Sequence, residues 1–170
     1  NRGDLSDQEV RDQVISLVAA GYDTTAAAMG WIADHLAREP DHAAAIRTEH
    51  SDVVGDNLLQ IEHLARLVHA SAFTSEILRH HPPAIWSGRR VVNDFTLHDH
   101  TIPGGSMILF SPQVTHQLPE QFPEPDTIKP GRWIEGHPDH HPRHPYAYIP
   151  FGGGNRRCLG FAFATQELTV

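Results

Sequence analysis

The chain is poor in cysteine, in basic runs and in long apolar stretches, and each shortage closes off a class of protein. Its single cysteine, Cys158, cannot form an internal disulfide and fits a reducing compartment. That sulfur is either a small buried hydrophobe or a chemically committed group. No segment approaches the roughly 18 uninterrupted apolar residues of a membrane span, because the longest helical pattern carries Asp23, Thr24 and Thr25 in its middle. Thirteen Lys and Arg face 21 Asp and Glu, a formal charge of −8, so the chain lacks the basic surface that grips nucleic acid or an anionic membrane. A signal-like start and an initiating Met are also lacking, and the opening Asn1-Arg2-Gly3-Asp4 is expected to be a cut within something longer.

What is present is an ordinary globular composition of 170 residues, 39% hydrophobic and 20% charged, with room for one packed unit. Ser6-Asp7-Gln8-Glu9 reads as a capping box. Val10, Val14, Leu17, Val18, Met29, Ile32 and Leu36 then hold helical spacing until Glu39-Pro40, which predicts one helix of about 30 residues. Asp41 is expected to cap a second helix through Ala43 to Glu49. A short helix is expected within Leu58–Leu67, and a firmer one over Ala70–His80 that His81-Pro82-Pro83 ends. Beyond Arg89, Val91-Val92, Phe95-Thr96-Leu97, Thr101-Ile102 and Met107–Phe110 read as short strands between turn residues. Ser111–Pro150 is dense in Pro and without periodicity, the mark of a long loop with a purpose.

The strongest local feature is Phe151-Gly152-Gly153-Gly154-Asn155-Arg156-Arg157-Cys158-Leu159-Gly160, leading into a last helix. A phosphate loop would end in Gly-Lys-Ser/Thr, where Arg157-Cys158 stands; the dinucleotide fingerprint would need Gly in place of Arg157. A Cys-phosphatase loop would need Arg at the position of Ala164. The remaining reading is a cysteine on a Gly-rich turn entering a helix, where backbone amides and the helix dipole favour a thiolate, as a metal ligand requires. An inert buried cysteine stands beside it. Gly21 and the Thr pair weaken and polarise a long helix at one spot, which suggests a site in a buried helix; the alternative is a kinked core helix whose threonines bond their own carbonyls. Glu76 and Arg79 share a helix face and are close enough to pair.

The spacing of Phe151, Gly154, Arg156, Cys158 and Gly160 resembles the haem-binding loop of the cytochromes P450, the haem-thiolate monooxygenases. Other marks of that family follow in order. Ala20-Gly21-Tyr22-Asp23-Thr24-Thr25 is similar to its distal-helix oxygen motif, and Glu76-Ile77-Leu78-Arg79 to its Glu-x-x-Arg motif. Pro130-Gly131-Arg132-Trp133 is similar to its later Arg-bearing segment, with Gly131 where a Glu is common. The resemblance covers the whole chain. It implies a mainly α fold with small β-sheets, residues 1–170 being the C-terminal portion and the N-terminal half lying elsewhere.

By that resemblance Cys158 is the axial ligand of the iron of haem b (iron protoporphyrin IX). Asp23 and Thr24 are the acid and alcohol that manage protons for oxygen, beside the cofactor-lining Ala20 and Gly21. Arg89 and Arg156 would meet the haem propionates, and Phe151 would pack near the sulfur. Glu76, Arg79 and Arg132 form a buried structural triad, and Ala84, Ile85 and Trp86 line the substrate pocket, a plain core role for Trp86 being the alternative. The implied activity inserts one atom of O2 into a small organic substrate, with electrons from a ferredoxin, a flavodoxin or a flavin reductase. Arg143, Arg156 and Arg157 are expected to receive that acidic partner. No nucleic acid is expected, and the location is expected to be cytoplasmic. Alternatives are a non-catalytic haem-binding fragment or sensor, and a haem-thiolate peroxygenase or isomerase. His137, His140, His141 and His144 invite a zinc reading, but Pro138, Pro142 and Pro145 stiffen the stretch and nothing completes a ligand set, so a solvated loop is expected.

Overall fold

The hydroxyl of Ser6 starts the longest element of the computed structural model, which describes residues 5–170. It accepts from the Glu9 amide while the Glu9 carboxylate accepts from the Ser6 amide at 2.8 Å, closing the expected capping box. Helix α1 then runs from Asp7 to Arg38 and passes through Gly21 without a break. The expectation that this helix is buried is corrected. Of α1 only Ala28 is buried, and Val10, Val14, Leu17, Val18 and Tyr22 are exposed. Nothing packs over that first half of the helix among the described residues, so its apolar stripe meets solvent. No helix among them is long and apolar enough to cross a membrane.

Helix α2 spans Pro40–Val53 and begins earlier than expected. Pro40 occupies the first position, where a missing N–H costs nothing, so Glu39 is the cap residue and Asp41 lies in the first turn. After the short α3 (Ile61–Leu64), α4 covers Val68–His80. A carboxylate from α2 serves as its cap: Glu49 accepts from the amides of His69 and Ala70 at 2.7 and 3.0 Å. Helix α4 is the centre of the molecule. It packs against α1, α2, the last helix α6 (Phe161–Thr169) and a 3₁₀ turn over Pro130–Trp133, and it buries Ala72, Phe73, Ile77 and Leu78.

Two antiparallel ribbons complete the architecture. Strand β1 (Ser87–Arg90) pairs with β4 (Met107–Phe110), with Ser87 opposite Phe110 and Arg90 opposite Met107; β2 (Phe95–Leu97) pairs with β3 (His100–Ile102). The first strand therefore lies just before Val91-Val92. Val91 still exchanges bonds with Ser106 and Gly105, but there the turn begins, and its side chain is buried while Val92 is exposed. Beyond α5 (Pro112–Thr115), capped by the Ser111 hydroxyl, the Pro-dense segment is irregular apart from the 3₁₀ turn, as its composition predicts. Leu168 of α6 joins Ala28 and Leu78 in a small apolar cluster that also takes Ile32, Tyr148 and Phe151 at its edge.

Candidate functional site

A completely buried carboxylate organises the region. Glu76 on α4 accepts from the Nε and Nη2 of Arg79, both at 2.9 Å, and from the Nε of Arg132 at 3.1 Å. The backbone amide of Lys129 and the indole N–H of Trp133 add two further bonds at 2.9 Å. Burial pushes this carboxyl up, but the hydrogen bonds and charge of Arg79, with the Lys129 and Trp133 donors, outweigh it and hold the group below the usual carboxylate range. Both guanidinium groups are satisfied on their other edges. Arg79 reaches the carbonyl of His116 at 3.0 Å, and Arg132 reaches those of Pro123, Glu124 and Thr127. Glu124 is held at φ +52, in the left-handed region, with its carbonyl on Arg132. The three residues of the expected triad are thus in one ion-pair network.

Sequence reasoning missed the residues that carry this network to the cysteine. His116 is fully buried, with Nδ1 3.0 Å from the Arg79 carbonyl and Nε2 accepting from the Ile149 amide at 2.8 Å. The carbonyl fixes the proton on Nδ1. Burial first, and then the neighbouring Arg79 charge, lower its pKa to about 4, so the ring is neutral at pH 7. Tyr148 bonds the Ser75 carbonyl at 3.2 Å and stacks obliquely on Trp133 at 4.4 Å. From Ile149 the path continues through its carbonyl to the Gly152 amide, and then from the Phe151 carbonyl to the Cys158 amide, both at 2.9 Å. The stem of the cysteine loop is therefore tied to α4. A histidine in a Pro-rich loop carries no periodic signal that would have singled it out.

The loop itself is built on glycine. Gly152 and Gly154 adopt φ of +69 and +64, conformations that other residues rarely take. Cys158 is exposed on this turn, with the exposed Leu159 after it and Gly160 capping α6. The buried-hydrophobe reading of this cysteine is thereby excluded. An accessible, soft sulfur donor that joins no metal-holding group among the described residues suits iron held otherwise by a macrocycle, so the donor set fits haem. Phe151 turns its ring toward the Ala28–Leu78–Leu168 cluster and Phe161, while its carbonyl serves the Cys158 amide.

The other expected residues are placed as follows. Asp23 and Thr24 lie exposed on α1 together with Gly21; Thr24 Oγ1 donates to the Ala20 carbonyl at 2.8 Å within the helix. Arg89 donates to the Ser87 hydroxyl and the Gly88 carbonyl and lies over the Phe110 ring at 5.2 Å. Arg156 is exposed. Ala84, Ile85 and Trp86 form an exposed run between α4 and β1, so Trp86 has no core role. Arg143 is corrected as a partner-facing cation. It donates to the Arg132 carbonyl at 2.6 Å, lies over Trp133 at 4.3 Å, and is desolvated there. His137 sits over Gly131, where its ring takes the space a side chain would occupy. His137, His140, His141 and His144 are not gathered into a metal-holding group among the described residues.

Comparison with known proteins matches residues 1–170 to the family model described as cytochrome P450. The chain is 38% identical over 166 residues to a putative cytochrome P450 139 of Mycobacterium tuberculosis, covering 98% of this chain and 39% of that protein. It is likewise 38% identical to the cyclooctatin synthase of Streptomyces melanosporofaciens, covering 99% of this chain and 36% of that protein. Among solved structures it resembles the retinoic acid-bound cyanobacterial CYP120A1, with a TM-score of 0.89 at 29% identity over 99% of this chain and 39% of that one. The chain thus spans well under half the length of the relatives it matches.

Proposed function

The chain belongs to the cytochrome P450 family, and on that premise we propose that residues 1–170 act as the thiolate-bearing, proton-handling portion of a haem monooxygenase. The observation that carries the reading is the exposed Cys158 on a glycine turn whose stem is bonded, through Ile149 and His116, to a buried carboxylate–guanidinium network. A haem with thiolate ligation, when bound, supplies the cleavage of O2 and the insertion of one oxygen atom into a small organic substrate.

The chain's own residues prepare that chemistry. Cys158 would hold the haem iron through its sulfur, and the bond from its amide to the Phe151 carbonyl fixes the direction of its Cα–Cβ bond. Phe151 and the neighbouring cluster exclude water from one flank of the loop. Arg156 and Arg89 would pair with the carboxylates of the cofactor. On α1, the Thr24 hydroxyl has its proton on the Ala20 carbonyl, so its oxygen lone pairs remain available as acceptors. Asp23, exposed beside it, would serve with Thr24 to hold and move protons for the bound cofactor's oxygen chemistry. Ala20 and Gly21 keep that stretch of helix slim enough for close approach of the cofactor. Ala84, Ile85 and Trp86 contact the substrate. Arg156 and Arg157 face an acidic electron donor such as a ferredoxin, a flavodoxin or a flavin reductase.

The test is the absorption spectrum of the haem-supplemented chain, reduced and exposed to carbon monoxide, with Cys158→Ser as control. A thiolate-type red-shifted Soret band that the substitution removes is the expected result. A folded chain without that band overturns the assignment of the proximal site to these residues alone.

A further inference from the structure

We propose that His35, His80 and His81 form a binding site for a divalent transition-metal ion of the zinc type, fastening the end of α1 to the end of α4. The Nε2 of His81 lies 3.0 Å from the Nε2 of His35 and 3.1 Å from the Nδ1 of His80, and one nitrogen from each ring lies within 4.8 Å of the others. Tetrahedral zinc with bonds of about 2.0–2.1 Å sets its nitrogens roughly 3.3 Å apart. Two of the three nitrogen pairs are close to that spacing, and the third lies within 4.8 Å.

The hydrogen-bond arithmetic points the same way. Glu39 accepts from the Nδ1 of His35 at 2.9 Å, which leaves the opposite nitrogen of that ring with a bare lone pair aimed at His81. His81 Nε2 carries at most one proton, yet it faces two ring nitrogens. A single proton makes one linear bond and leaves the other contact unpaired, whereas one cation accepts a lone pair from all three rings. The Glu39 carboxylate behind His35 orients that ring and raises its basicity, as carboxylates do behind metal-bound imidazoles.

The site is also held in shape. The Trp31 indole stacks on the His81 ring at 3.8 Å with only 2° between the planes, and Pro82 and Pro83 fix the chain directly after it. Three imidazoles, with no carboxylate or thiolate among the ligands, favour zinc, copper, nickel or cobalt over magnesium or calcium. The three residues are half-buried, so a fourth position stays accessible to water. Since the ion binds the folded arrangement and not the open chain, it stabilises the packing of α1 on α4.

Cobalt(II) titration of the protein, followed by visible absorption and zinc competition, tests this. The expected result is one cobalt per chain with the intense bands of a tetrahedral site, displaced by zinc, and a melting temperature that rises with either metal. His80→Gln and His35→Gln are each expected to weaken binding at least tenfold, with Cys158→Ser and the double substitution H140Q/H141Q leaving it unchanged. X-ray absorption of the zinc-loaded native protein, which needs no variant to fold, is expected to show three imidazole scatterers. Absence of cobalt binding by the folded protein, binding that survives His80→Gln and His35→Gln, binding lost in H140Q/H141Q, or a zinc shell without three imidazoles overturns the proposal.

Discussion

Helices α1 and α4 are both well formed, yet they treat their polar side chains in opposite ways. On α4, Glu76 and Arg79 are fully buried and every charged edge meets a partner. On α1, Asp23 and Thr24 stand in solvent, and among the described residues the Thr24 hydroxyl bonds only to its own helix. The buried set is expensive to disturb because a charge that loses its partner has no water to turn to. The exposed set is cheap to alter because water replaces whatever is lost. Support and the proposed proton handling are thus separable by their energetics, before any activity is measured.

The sharpest way to break the contrast is Glu76→Ala, which strands the Arg79 and Arg132 charges. Urea unfolding is expected to show a loss of about 3–5 kcal/mol, close to the whole margin of a small domain, with Glu76→Gln less severe. A loss below ~1 kcal/mol would place the two guanidinium groups in water and erase the distinction.

Next in size is a pH effect centred on His116. Its folded pKa of about 4 lies below the ordinary 6.5, so the unfolded chain takes up a proton first as the solution is acidified. Stability is therefore full above pH 6.5 and lost progressively down to about pH 4, by roughly 3 kcal/mol for this group. The difference in that slope between the native protein and His116→Gln isolates the histidine from the other titrating groups. Equal slopes would mean that the ring protonates freely in the folded state. Trp133→Phe removes one donor to the Glu76 carboxylate and is expected to cost about 1.5–3 kcal/mol in the same unfolding experiment.

At the bottom of the scale lie Thr24→Ala and Asp23→Asn, each expected to change stability by less than ~0.5 kcal/mol in thermal unfolding. If either lost as much as Trp133→Phe, α1 would have to be read as part of the buried frame.

The same contrast governs what the amino-acid sequence disclosed. The α1 capping box, the Glu76–Arg79 spacing and the β2–β3 hairpin depend on residues a few positions apart, and local spacing predicts them. Arg132 was placed by its resemblance to a known segment. The remaining supports of Glu76 come from positions 53 and 57 residues away in sequence, on a stretch with neither helical nor strand period. His116, Tyr148 and the true setting of Arg143 were illegible for that reason. The early start of α2 is hidden in the sequence because Pro40 both ends one helical pattern and suits the first position of the next. The exposure of α1 was hidden because an apolar stripe in a sequence does not say what covers it.

The bonded path from α4 to the cysteine turn also implies an order of events as the chain folds. Its two long-range steps join Arg79 to His116 and His116 to Ile149, separations of 37 and 33 residues. Closing such loops costs entropy before any contact repays it, whereas α1 and α4 form from neighbours. Those separations predict that the helices come first, that the Pro-rich wrap docks onto α4 second, and that the turn bearing Cys158 is shaped last. On that order a newly made chain presents a well-directed sulfur only once its wrap is in place, which would make the proposed cofactor capture a late readout of correct folding.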